Sequence, residues 1–204
     1  MIDKKNVLNG VRTVVLDVDG TLYDKSGLAH RMVRRLWWCL PLLAAERLAR
    51  RTMHEVQYSS GEEFYAIFFR RMARGHWWGP GVAEKWYHHI YLPTMIRLIA
   101  KHHAPNPHVL GLIDECKRRK IPMAIYSDYG GVLDKLAALG INPKDFDLIV
   151  DAPELGALKP SAESARKVLE LLHADPQTTL FVGDRADKDG VSAQKVGAKF
   201  YLIP

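Results

Sequence analysis

Apolar residues recur along this chain in two alternating periods. Near the N-terminus, Thr13-Val14-Val15-Leu16 is a continuous β-branched and aliphatic run, and it predicts a buried strand over 13–17. Similar short runs predict strands over 123–127, 148–151, 179–182 and 199–203. Between them the spacing widens to the helical repeat. Val109, Ile113 and Cys116 stand at i, i+4 and i+7, and the basic residues 117–120 suit the C-terminal end of that helix. An apolar stripe over 132–139 stops at Gly140, a natural C-cap. Ala165, Val168, Leu169 and Leu172 form another stripe, entered through Pro160-Ser161, and a last helix over 188–196 ends at Gly197.

The stretch 27–104 carries no strand pattern. Residues 31–51 read as helix, with Pro41 as a kink or break. Ser60-Gly61-Glu62-Glu63 has the form of a capping box ahead of Phe64, Ile67, Phe68 and Met72 on one face. Trp77-Trp78-Gly79-Pro80-Gly81 reads as loop, with helix again over 86–91 and 94–103. The pattern predicts an α/β protein whose doubly wound, mostly parallel sheet is Rossmann-like. Its core is built from 1–26 and 105–204, with an inserted α-helical domain over 27–104 joined through hinge-like segments at 23–27 and 104–107.

Charge sharpens this division. The net charge of +6 is concentrated in one place: residues 28–104 hold 12 Lys+Arg against 5 Asp+Glu, seven of the nine histidines and all five tryptophans. Arg47, Arg50 and Arg51 read as a solvated helix face, although they could also attract an anionic substrate. The pairs Trp37-Trp38 and Trp77-Trp78 read as packing inside the helical domain or against the core, rather than as a base-stacking platform. His88-His89 and His102-His103 lack the HxxxH spacing of a helical metal site. Two cysteines, Cys39 and Cys116, make neither a disulfide framework nor a zinc pattern. With no secretory leader at Met1 and no apolar run near the roughly 20 residues a membrane span needs, the expectation is a cytoplasmic protein with no membrane or nucleic-acid partner.

The chemistry concentrates at the ends of predicted strands. Asp17 and Asp19 follow the first strand and share a face, two residue rises or about 6–7 Å apart. Gly20 then lets the chain turn sharply and expose amides to an anion. Two acids closing a buried strand beside a tight turn describe a phosphate-and-metal site. Ser127-Asp128 ends the second strand, Lys159 precedes Pro160 at a helix mouth, and Gly183-Asp184 with Asp187 and Asp189 closes the fourth. A doubly wound sheet gathers all four segments at the C-terminal ends of its strands. A pocket holding several carboxylates and an incoming phosphate requires a hard cation to reconcile them.

The ordered set DxDGT, Ser, Lys-Pro and GDxxxxD resembles the four motifs of the haloacid dehalogenase (HAD) superfamily across residues 12–202, and the helical insertion resembles, in position, the C1-type cap of many members. The resemblance implies a Mg²⁺-dependent phosphatase acting on a small phosphorylated metabolite. Asp17 would be the nucleophile that forms an aspartyl-phosphate, and Asp19 the general acid and base. Phosphate would be held by Ser127 and Lys159, with Asp19, Gly20 and Asp128 alongside. Asp17, the Asp19 carbonyl, Asp184 and Asp189 would serve the metal. The second aspartate favours phosphoryl transfer over carbon–halogen cleavage, which needs no proton donor. Two alternatives stand beside this: a phosphomutase-type phosphotransferase using the same site, and a non-catalytic scaffold whose basic, Trp-rich cap engages a partner.

Overall fold

The computed structural model describes residues 7–54 and 56–203. Strands β1 (Thr13–Leu16), β2 (Met123–Ser127), β3 (Leu148–Asp151), β4 (Thr179–Gly183) and β5 (Lys199–Leu202) form one sheet in the order β3-β2-β1-β4-β5. Every pairing is parallel. Alternation along the strands divides the core. Val14, Leu16, Ile125, Leu180 and Val182 face one cluster, while Val15, Tyr126 and Phe181 face the other. Both faces are therefore buried, as the unbroken apolar runs require.

The first face is covered by α6 (Pro107–Arg119) and α7 (Val132–Ala138), the second by α8 (Ala162–Leu171) and α9 (Val191–Val196). The chain moves outward from β1 to β2 and β3, then crosses back to place β4 on the other side of β1. That reversal opens a crevice at the C-terminal ends of β1 and β4.

Between β1 and α6 the described residues form helices: α1 (Leu28–Arg35), α2 (Leu40–Arg51), α3 (Gly61–Ala73), α4 (Pro80–Trp86) and α5 (Leu92–His102). Helix α5 packs on α1 and on α7, and α3 packs on the turn Ala152–Leu155 beyond β3. The hydrophobic cluster on the first face of the sheet continues into these helices, from Leu16 and Ile125 through Met32, Leu43, Phe68 and Met95. Gly61 permits the close approach to the core, because a Cβ there would lie 2.9 Å from Glu154 Cα. No described helix is long and apolar enough to cross a membrane, and both cysteines are free and buried.

Several local expectations change. Pro41 does not kink a long helix. The break falls at Leu36 and the 3₁₀ turn Trp37–Cys39, and Pro41 opens α2, where its missing N–H costs nothing. Pro80 likewise opens α4, which runs through a π turn, Tyr87–Tyr91, into α5. Ser60 caps α3 through the Glu63 N–H at 3.2 Å, but the Glu63 carboxylate reaches Ser59 instead of closing the box on Ser60. Trp37, Trp38 and Trp77 are exposed while Trp78 and Trp86 are buried, so the tryptophan pairs are not core packing as units. Nor is Arg50 on a solvated face: it is buried with Glu46, while Arg47 and Arg51 face outward.

Candidate active site

Asp17 follows β1 directly and remains tied to the ladder, its N–H donating to the Val182 carbonyl at 3.0 Å. Because Leu16 pairs with Val182 in register, the carboxylates that end β4 arrive beside it. Oxygens of Asp17, Asp184 and Asp189 lie within 4.8 Å of one another. Asp189 reaches this point from the π turn Ala186–Gly190 because Gly183 leaves room: a Cβ there would sit 2.2 Å from its Oδ2.

The Lys159 ammonium bridges this cluster. It donates to Asp17 Oδ1 and Asp189 Oδ1, both at 2.6 Å, and to the Tyr126 carbonyl at 3.0 Å. Burial disfavours its charge, but Asp17, Asp189 and Asp128 outweigh that and hold its pKa well above the ordinary lysine value. Burial also raises the Asp17 carboxyl. Lys159 pulls it back and Asp189 pushes it up, leaving it at about 7. Thr21 Oγ1 donates to the second Asp17 oxygen at 2.9 Å, which fixes the carboxylate's orientation.

Asp19 occupies a different environment. Its Oδ1 accepts from Tyr23 Oη at 2.5 Å, and its Oδ2 accepts from Lys135 Nζ at 2.6 Å and from Ser127 Oγ at 3.5 Å. Burial followed by the nearby Asp19 charge raises the Tyr23 phenol well above its usual pKa, so it stays a donor. Gly20 turns the chain at φ 102°, and a Cβ there would strike Asp184 Oδ2 at 2.3 Å. The structure therefore brings together Asp17, Asp19, Gly20, Ser127, Lys159, Asp184 and Asp189.

Asp128 lies at the same crevice in a different capacity. Its Oδ1 accepts the Lys159 backbone N–H at 2.7 Å, its Oδ2 accepts Lys188 Nζ at 3.0 Å, and its carbonyl accepts Arg50 Nη1 at 2.9 Å. With both carboxylate oxygens engaged, it braces the Lys159 loop and offers no side-chain donor to a phosphate. Asp187 turns to the surface, where Arg185 holds its carboxyl down at about 2.

Three residues at the site have no role assigned from the sequence. Lys25 donates to the Asp19 carbonyl at 2.9 Å and forms an ion pair with Asp184. Tyr23 and Lys135 both hold Asp19. Only Lys135 had a sequence signal: with Val132 and Leu136 it stands on the buried stripe of α7, and a lysine there needs a carboxylate partner.

The profile of the haloacid dehalogenase-like hydrolase family matches residues 11–197. Haloacid dehalogenase-like hydrolase domain-containing protein 3 of Xenopus laevis is 26% identical over 184 residues, 89% of this chain and 63% of that protein. The glyceraldehyde 3-phosphate phosphatase of Methanocaldococcus jannaschii is 32% identical over 95 residues, 46% of this chain and 41% of that protein. The chain thus spans less than two thirds of the length of either relative. Among solved structures, magnesium-bound YfnB of Bacillus subtilis superposes with a TM-score of 0.64 at 18% identity, covering 95% of this chain and 88% of that one. The match runs from before β1 to the end of α9 and takes in every acid and lysine of the crevice; this chain belongs to the haloacid dehalogenase-like hydrolase family.

Proposed function

We propose that this protein is a Mg²⁺-dependent phosphatase that hydrolyses a small phosphate monoester through an aspartyl-phosphate on Asp17. One observation carries the proposal: three aspartates cluster at a single crevice, two of them bridged by a buried lysine, with a fourth, separately held aspartate at its edge.

The donor set fits a hard divalent ion. Asp17, Asp184 and Asp189 offer carboxylate oxygens and Asp19 its carbonyl, the oxygen ligands such ions take. The Lys25 ammonium, seated between the Asp19 carbonyl and Asp184, supports the need for positive charge at this point. The magnesium in the YfnB structure supports the choice of ion. When bound, Mg²⁺ would neutralise the carboxylates and the phosphoryl oxygens that must approach them.

The chain's own residues account for the remaining chemistry. An Asp17 oxygen attacks phosphorus, forming one P–O bond as the ester P–O bond breaks. Lys159 draws Asp17 toward the carboxylate form this attack requires, and with Ser127 it holds the phosphoryl oxygens. Asp19, oriented by Tyr23 and Lys135, protonates the departing alcohol and later takes a proton from the water that cleaves the aspartyl-phosphate. Residues 27–104 would act as a cap, shielding the crevice and selecting the leaving group.

The test is inorganic phosphate release from a panel of phosphate monoesters with Mg²⁺, with Asp17→Asn as the blank. Release that depends on Asp17 supports the proposal. Phosphoryl transfer to a sugar with little free phosphate would replace hydrolysis by mutase-type transfer. No turnover on any ester would return the chain to a binding role.

A further inference from the structure

A cavity of about 530 Å³ opens directly from Asp19 into the helical region, within the size range of small-molecule sites. Its wall is largely aliphatic and aromatic. Leu28 and Met32 come from α1, Leu43 from α2, Met95 from α5, and Tyr91 and Tyr129 close the sides. Leu28, Met32, Leu43 and Met95 are each less than 10% exposed, so they form the inner surface; Val33 and Leu40 are exposed at the mouth.

Most polar groups on this wall are already engaged. Tyr23 donates to Asp19, Lys25 is held by the Asp19 carbonyl and Asp184, and Glu46 is paired with Arg50 at 2.8 Å. That leaves the second Glu46 oxygen, the Tyr91 and Tyr129 hydroxyls and the outward-facing Arg47 guanidinium, few groups for a wall this apolar. A sugar or polyol seated here would press most of its hydroxyls against Leu28, Met32, Leu43 and Met95, at a cost for each one left without a partner. An alkyl or aryl group would instead exchange water for apolar contact.

We infer that the alcohol released by this site is apolar, so that the substrates are phosphate monoesters of alkyl or aryl alcohols rather than of sugars, glycerol or nucleosides. The inference rests on the proposed phosphatase reading, with Asp19 at the cavity floor delivering the proton to the alcohol oxygen. The phosphoryl group then lies at the Asp17–Lys159 end, and the carbon skeleton extends past Asp19 between α1, α2 and α5.

The experiment compares kcat/KM by phosphate release, with Mg²⁺, for ethyl, butyl, hexyl and octyl phosphate and for phenyl and 1-naphthyl phosphate. Glycerol phosphate, glucose 6-phosphate and a nucleoside monophosphate serve as polar counterparts. The expected result is a rise of about fourfold per methylene until the cavity is filled, and 1-naphthyl phosphate preferred over glycerol phosphate by at least about a hundredfold. Leu40→Asp, at the exposed mouth, should lower kcat/KM for octyl phosphate about tenfold while its melting temperature shows that the fold is retained. Equal or better turnover of the polar esters, or an unaltered value in Leu40→Asp, would overturn the apolar assignment and leave the phosphatase reading standing. No phosphate release above the Asp17→Asn blank from any ester would overturn both.

Discussion

Asp17 and Lys25 make opposite predictions about loss of charge. Asp17→Asn keeps the shape of the side chain but removes the oxygen proposed as nucleophile, so turnover should fall by on the order of 10⁴ or more, measured as phosphate release. A loss of only a few-fold would contradict covalent catalysis. Lys25 holds the Asp19 carbonyl and Asp184, groups that a divalent ion would share. Lys25→Met should therefore lower the melting temperature of the metal-free protein, because the carboxylates lose a counter-charge. The same change should tighten Mg²⁺ binding about tenfold by calorimetry, since the ion no longer displaces an ammonium. Weaker binding in Lys25→Met would mean that the lysine supports the ion rather than competing with it.

Among the elements, α2 connects the helical stretch to the loop after β2 through Arg50, a buried residue whose ion-pair partner, Glu46, lies on the same helix. Arg50 donates to Glu46 at 2.8 Å and to the Asp128 carbonyl at 2.9 Å, and its guanidinium stacks over the Tyr129 ring at 4.3 Å. Arg50→Ala strands Glu46 and should cost about 3–5 kcal/mol in urea unfolding. The double change Glu46→Leu with Arg50→Met removes both charges and should recover most of that stability. Activity should stay low in the double variant, because the Asp128 loop that holds the Lys159 N–H loses its anchor. Full activity in that variant would show that the loop is positioned without α2.

Across the folded chain, pH dependence without metal should reflect a half-buried acid outside the Asp17–Asp184–Asp189 group. Burial lifts the Asp151 carboxyl at the end of β3, Lys135 draws it down, and Glu154 and Asp19 push it up, to about 7. Its buried Oδ1 has no hydrogen-bond partner. An acid raised in the fold binds its proton more tightly than in the unfolded chain. Its share of stability is complete below about pH 4 and is lost as pH rises through about 7. Asp151→Asn should therefore melt at least about 2–4 °C higher than the parent at pH 8, the shift that about 1 kcal/mol produces in a chain of this size. At pH 4 the two should agree much more closely. Equal melting points at both pH values would remove Asp151 as a source of pH sensitivity.

Local spacing in the chain was enough to determine the alternation of strand and helix, the helical stretch between the first strand and the second, and the four motifs at strand ends and a helix start. Backbone preference and side-chain periodicity act over a few residues, and the acids and lysine of the motifs sit where a parallel sheet must bring them together. Only the tertiary structure decided which partners complete the site. Lys135 meets Asp19 across 116 positions and Lys25 meets Asp184 across 159, pairings that no local period encodes. The same holds for the burial of Arg50, the exposure of three tryptophans and the apolar cavity beside Asp19. Each depends on how separate elements pack, and packing is settled by the combined surfaces of segments far apart in the chain.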